Sequence, residues 1–299
     1  MRIGTLNLFR QGVDGMLRAQ EDLFRTQQQL SSGKRVNRPS DDPAAAARLV
    51  GLSDQLDVNR QYQRNIDAAR ARLELEDSTL AVVVDNLQRA RELAVQALND
   101  TNGAEDRAYI AQEVRQILDE VLGLANRTDA SGDYLFGGFE TQVPPFSDNG
   151  GGSFSYRGDQ GQRMLQIGPS RQIADGDSGF EVFMKIPGGP GYQDIFTTLY
   201  TLATDLEANA PDGARLDEID NALENMLRFR ASAGGRLNAI DSQEQSNVAL
   251  IQQLENIRSV IEDLDYAEAA SRLNQQTITL QAAQQAFVKV QNLNLFNFL

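Results

Sequence analysis

Apolar residues along this chain recur mostly every three to four positions. From about residue 11 to 31, Val13, Met16, Leu23 and Leu30 mark one side of a helix, with Gln20 and Gln27 on the same seam. This is a heptad-like stripe with polar positions inside it. Polar groups at such positions cost stability but fix register and partner. A helix with so narrow an apolar face must bury it against something else. Gly33 and Pro39 stop the pattern. Ser40 or Asp41 is then placed to cap the next helix, with Pro43 in its first turn, where a missing N–H costs nothing. Asp41 and Asp42 fall at the positive end of that helix, so capping accounts for this carboxylate pair without a metal or acid–base role.

A very long helix is expected from Ala44 to about Leu98. On its seam lie Ile66, Ala69, Leu73, Glu76, Leu80, Val83, Leu87, Ala90, Ala94 and Ala97, apolar except for Glu76. At 1.5 Å per residue such a helix extends about 75–80 Å, the proportions of a rod. Asn102-Gly103 ends it, and a second helix over about 105–126 returns antiparallel. Between 130 and 192 glycine is dense and the helical period disappears. Short runs (SFSYR, RMLQIG, FEVFMKI) between turn dipeptides predict a β-rich insert of hairpins. Helical spacing resumes over about 193–209 and 214–265, where Gly234-Gly235 suggests a bend or close packing point. A last helix over about 267–292 carries Leu273, Leu280, Ala283, Phe287 and Val290. The chain closes on an uncharged apolar tip containing Leu293, Leu295 and Phe296.

The fold class expected is mainly α with a small β insert. The N- and C-terminal segments pair in a long antiparallel bundle or coiled coil, with the β-rich segment inserted between them. Three regions follow: 1–43 with 266–299 as a terminal core, 44–130 with 193–265 as a rod-like bundle, and 131–192 as an outer insert.

Composition narrows the chemistry. The 299 residues contain no Cys and no His, which removes disulfides, thiolate or imidazole metal ligands, cysteine nucleophiles and the Ser-His-Asp triad. The formal net charge is −14, an acidic balance that repels nucleic acid. Residues 1–40 run against it, with seven basic residues and three acidic ones. No apolar run reaches the ~20 residues of a membrane span, and the N-terminus lacks the core of a cleaved secretory signal. These signs predict a soluble cytoplasmic product that, if it leaves the cell, does so without such a signal.

Local motifs are weak. Arg157-Gly158-Asp159 fits a hairpin turn as well as an adhesion tripeptide. The string 175–179, DGDSG, lacks the bidentate Glu and flanking helices of a calcium loop. Gly188-Gly189-Pro190-Gly191 has no following Lys-Ser/Thr and is no phosphate loop. Asn99-Asp100-Thr101 and Asn126-Arg127-Thr128 match a glycosylation pattern common by chance. No carboxylate has a companion that would tune it for catalysis, so no enzyme, cofactor, metal, nucleic-acid or membrane role is expected.

The run Gln29-Leu30-Ser31-Ser32-Gly33-Lys34-Arg35-Val36-Asn37-Arg38-Pro39-Ser40-Asp41-Asp42-Pro43-Ala44 resembles the N-terminal signature of the bacterial flagellin superfamily. Three further strings are similar to its hook–filament junction members. They are Gly132-Asp133-Tyr134-Leu135-Phe136-Gly137-Gly138 with Pro145-Phe146, Tyr156-Arg157-Gly158-Asp159 with Gln162-Arg163, and Val290-Gln291-Asn292-Leu293-Asn294-Leu295-Phe296. The resemblance implies terminal helices at the inner core of a tubular polymer. It implies export through the flagellar type III apparatus without a cleaved signal, to an extracellular place in the flagellum. The partners it implies are copies of the chain in a ring, the first hook-associated protein FlgK, flagellin, and an export chaperone over Leu273, Leu280, Phe287 and Val290. The expected assembly interface is Val13, Met16, Leu23, Leu30, Leu273, Leu280, Phe287, Val290, Leu293, Leu295 and Phe296. A filament-forming flagellin, or a secreted adhesin or effector using the β insert, are the alternatives.

Overall fold

The computed structural model describes residues 2–188 and 191–292. In chain order the elements are α1 (Arg2–Ser32), α2 (Pro43–Ala97), α3 (Ala104–Ala125), β1 (Phe146–Asp148), β2 (Phe154–Tyr156), β3 (Met164–Gly168), β4 (Arg171–Ala174), a π-helical turn (Phe180–Met184), β5 (Ile186–Gly188), β6 (Gly191–Gln193), α4 (Ile195–Glu207), α5 (Ala214–Glu262) and α6 (Tyr266–Asn292). The chain divides into two compact units, Met1–Val58 with Leu250–Leu299, and Asn59–Ala249.

The larger unit is organised by α2. All ten seam positions from Ile66 to Ala97 are buried, Glu76 among them. Against this stripe pack Val114, Ile117 and Val121 of α3, Leu199 and Leu202 of α4, and Ile219 and Met226 of α5, in one continuous core. A smaller cluster joins Ile66, Ala69 and Leu73 of α2 to Ile167 and Ile173 of the β3–β4 hairpin and to Ala233 and Ile240 of α5. The helix α5 runs unbroken through Gly234-Gly235, and nothing lies within 4 Å of either added Cβ, so the pair marks no close approach.

The strands form three separate antiparallel hairpins, β1–β2, β3–β4 and β5–β6. The run FEVFMKI departs from the strand expectation, because Phe180–Met184 is a π-helical turn. Successive strand residues face opposite ways. Here the adjacent Val182 and Phe183 are both fully buried, which a helical turn permits. The Asn225 side-chain amide donates to Val182 O at 2.7 Å and to Glu181 O at 3.3 Å, pairing carbonyls of the turn.

Caps are local and specific. Asp42, rather than Ser40 or Asp41, opens α2, its Oδ1 accepting from Ala45 N at 2.9 Å. Asp41 instead accepts from the Asn37 and Arg38 amides and closes the preceding loop. Asp194 caps α4 by accepting from Thr197 N at 2.6 Å. Asp194→Ala is expected to lower stability by about 1 kcal/mol, read as a shifted urea midpoint with unchanged slope.

Candidate assembly interface

The smaller unit is built on one helix pair. The start of α1 meets the end of α6, with the Phe9 and Phe287 rings 5.1 Å apart. The end of α1 meets the start of α6, where Leu264 N donates to Gly33 O at 3.0 Å. The two helices therefore run antiparallel. Gly12 makes room for the Phe287 ring, since a Cβ there would lie 3.2 Å from Cδ2.

Val13, Met16, Leu23 and Leu30 of α1, and Leu273, Leu280 and Phe287 of α6, are all half-buried. All seven lie on the two helices of this pair. The side chain of Val290, and Leu293, Leu295 and Phe296, lie outside the described residues. The seam is rotated from the expected one. Gln20 and Gln27 face outward, and Thr26 and Gln29 are buried instead. Both buried groups are bonded: Thr26 Oγ1 donates to Asp22 O at 3.1 Å, and Gln29 Nε2 donates to Arg35 O at 2.7 Å.

This rotation leaves apolar side chains uncovered. Leu17 is 57% exposed, Phe24 63%, Ile278 64% and Val288 54%. Leu17 and Phe24 stand seven residues apart and so share one flank of α1. Their spacing is present in the sequence, but Gln20 and Gln27 beside them obscure the stripe.

The loop 33–42 ties α1 to the end of α5. Arg35 N donates to Glu262 O at 2.7 Å, the Arg35 guanidinium donates to Ile261 O at 2.7 Å, and Lys34 pairs with Glu262. Gly33 adopts φ +72°, and a Cβ there would lie 2.7 Å from the Tyr266 hydroxyl. Both facts demand glycine. A polar cleft of about 410 Å³ is lined by Asp22, Arg25, Gln29, Arg35, Asp42 and Arg272. The Ala45 amide, followed by Arg35, holds the Asp42 carboxyl below its ordinary range against the opposing effect of desolvation. The charges in this cleft are mixed.

Three motif aspartates are held by the fold, and Gly189-Pro190 of the glycine string lies outside the described residues. The Asp159 carboxylate turns inward and accepts from Phe139 N at 2.9 Å and Gly161 N at 2.7 Å. Asp175 pairs with Arg163, and Asp177 with Arg236. Among the described residues no group of three His, Cys, Asp or Glu is placed to hold a metal ion. No helix among them is long and apolar enough to cross a membrane.

Residues 4–141 match the bacterial flagellin N-terminal helical region, and residues 216–299 match the bacterial flagellin C-terminal helical region. The chain is 32% identical to flagellar hook-associated protein 3 of Salmonella typhimurium, covering 99% of both sequences, and equally similar to the Escherichia coli protein of that name. It is 26% identical to a flagellin of Bacillus subtilis over 86% of this chain and 85% of that one. Its fold is similar to a flagellar hook-associated protein structure from Vibrio parahaemolyticus, with TM-score 0.67 and 21% identity over 74% of this chain and 99% of the other. It is similar in the same way to the flagellar junction protein FlgL from Legionella pneumophila, with TM-score 0.60 and 21% identity over 74% of this chain and 100% of that one.

Proposed function

We infer the protein's role from one premise: the chain belongs to the bacterial flagellin family and, within it, groups with flagellar hook-associated protein 3. It is a structural component of the bacterial flagellum, an adaptor at the hook–filament junction. It works without catalysis. It reaches its extracellular place through the flagellar type III apparatus without a cleaved signal. Copies of the chain form a ring between the first hook-associated protein FlgK and flagellin, and an export chaperone covers the C-terminal seam beforehand. Residues 1–43 with 266–299 form the inner core of that ring, 44–130 with 193–265 a surrounding bundle, and 131–192 the outward part.

One observation carries this reading. The α1–α6 pair leaves Val13, Met16, Leu23, Leu30, Leu273, Leu280 and Phe287 only half-covered, with Leu17, Phe24, Ile278 and Val288 in the open. Exposed apolar side chains arranged along a helix are a poor surface for a lone subunit and a good one for stacking. Each neighbour would cover the flank that α6 does not.

The test is complementation of a strain lacking the gene. The full chain is expected at the base of detached filaments and to restore swimming. A version lacking residues 1–40 and 266–299 is expected to leave flagellin shed into the medium. Swimming restored by that truncated chain overturns the role of the terminal pair. Long filaments grown from the purified full chain alone would instead mark a flagellin.

A further inference from the structure

Glu76 is the odd member of the α2 seam. It is fully buried, and neither carboxyl oxygen has a hydrogen-bond donor. The carboxylate beside it is Asp177, on the segment that follows β4, and two ionised carboxylates offer each other no proton. The segment 174–177 lies close against α2, since a Cβ on Gly176 would sit 3.8 Å from Glu76 Oε2 and 3.5 Å from Arg72 Nε. From α5, Arg236 pairs with Asp177 and reaches Ala174 O and Gly176 O, both at 3.4 Å. Gln162 Nε2 donates to the other Asp177 oxygen at 2.8 Å.

We propose that Glu76 holds a proton that it donates to Asp177 in a buried latch that holds the β3–β4 hairpin between α2 and α5, and that loss of this proton as pH rises loosens the hairpin.

The surrounding charges support a proton on Glu76. Arg72 sits one turn before Glu76 on the same helix. Its guanidinium is already committed to Asp129 at 2.9 Å and to Tyr134 O and Leu135 O. Arg163 is taken by Asp175. Arg236 pairs with Asp177 through Nη2, while its buried Nε and both Glu76 oxygens have no hydrogen-bond partner. A proton on Glu76 turns one orphaned oxygen into a donor toward Asp177 and removes the repulsion between the two groups. Desolvation, and then Asp177, push the Glu76 carboxyl well above its ordinary value of 4.5, against the pull of Arg236 and Arg72. The rest of the hairpin is held by apolar packing of Ile167 and Ile173 and by single bonds, from Asn247 Nδ2 to Ile167 O at 2.9 Å and from Asn65 Nδ2 to Gln166 O at 2.7 Å. Ionisation of Glu76 therefore strikes the anchor at the hairpin's exit.

The sign follows from linkage. The latch contributes fully below 4.5 and is lost as pH rises through the elevated folded value. In that window the unfolded chain has released the proton and the folded chain keeps it. This component of the folding constant then falls about tenfold per pH unit.

The experiment is urea denaturation of the full chain between pH 5 and 9, for wild type and for Glu76→Gln, which keeps a neutral donor but cannot ionise. The ratio of the variant's folding constant to the wild type's is expected to climb with pH by up to about tenfold per unit. Parallel pH profiles overturn the proposal. A fixed loss in the variant at every pH would indicate an ordinary ion pair and also overturn it. If Glu76→Gln does not fold, Asp177→Asn supplies a donor from the other side and carries the same expectation. Independently of any variant, amide exchange of wild-type residues 164–177, corrected for its intrinsic pH dependence, is expected to lose protection toward pH 9 ahead of α2. Unchanged protection there overturns the latch.

Discussion

Phe196→Ala lowers the unfolding free energy by about 3–5 kcal/mol, the expected cost of removing a fully buried ring from a core that cannot collapse around the hole. Phe196 is fully buried at the start of α4. Its ring lies 5.2 Å from Phe146, 5.4 Å from Phe154 and 5.9 Å from Phe183. Each aromatic pair adds roughly 0.5–1.5 kcal/mol beyond the area it buries. The three partners come from β1, β2 and the π-helical turn, so one ring links the β-rich segment to the helices. Urea unfolding followed by circular dichroism reads the loss. Phe196→Leu, which fills most of the volume, is expected to cost less than half as much. Equal destabilisation by both variants would show that ring contacts, and not volume, dominate, and no measurable loss with alanine would contradict the packing described.

The second large effect is functional. Leu280→Asp combined with Phe287→Asp is expected to abolish filament attachment while the Asn59–Ala249 unit stays folded. Both residues are half-buried on α6, and Phe287 meets Phe9 and Gly12 of α1. Desolvating an unpaired carboxylate there costs several kcal/mol. Neither residue belongs to the core of the larger unit. Swimming in soft agar should fall to the level of the gene deletion, with flagellin in the medium. The thermal transition of the larger unit should not move. Normal swimming by this variant contradicts the assembly role of the α1–α6 seam.

Nearly all the helices are legible in the spacing of apolar residues. Expected spans of 44–98 and 105–126 compare with Pro43–Ala97 and Ala104–Ala125. The reason is that helical period, caps and Gly or Pro stops are properties of neighbours in sequence. The family is legible for a related reason, because the loop 29–44 carries a contiguous string. Part of that string has a direct physical reason: Gly33 must adopt φ +72° beneath Tyr266, and Asp41 and Asp42 divide loop closure and helix capping between them.

Three features needed the folded chain. The run around Val182 and Phe183 reads as a strand by its composition, but the aromatic core demanded both side chains at once and produced a π-helical turn. In α1 the heptad left two flanks open, and packing against α6 chose the side of Gly12 and Thr26 over that of Gln20 and Gln27. Glu76 reads as a polar lapse in an apolar stripe until the fold sets Asp177 and Arg236 against it.

Sequence alone thus determined the helical rods, their ends and the family, because each follows from spacing or from a continuous string. Tertiary structure decided which flank of a rod is covered, how the β-rich segment enters the core, and which distant carboxyl faces Glu76. Those outcomes depend on surfaces brought together from far apart in the chain, and local periodicity carries no information about what will stand opposite.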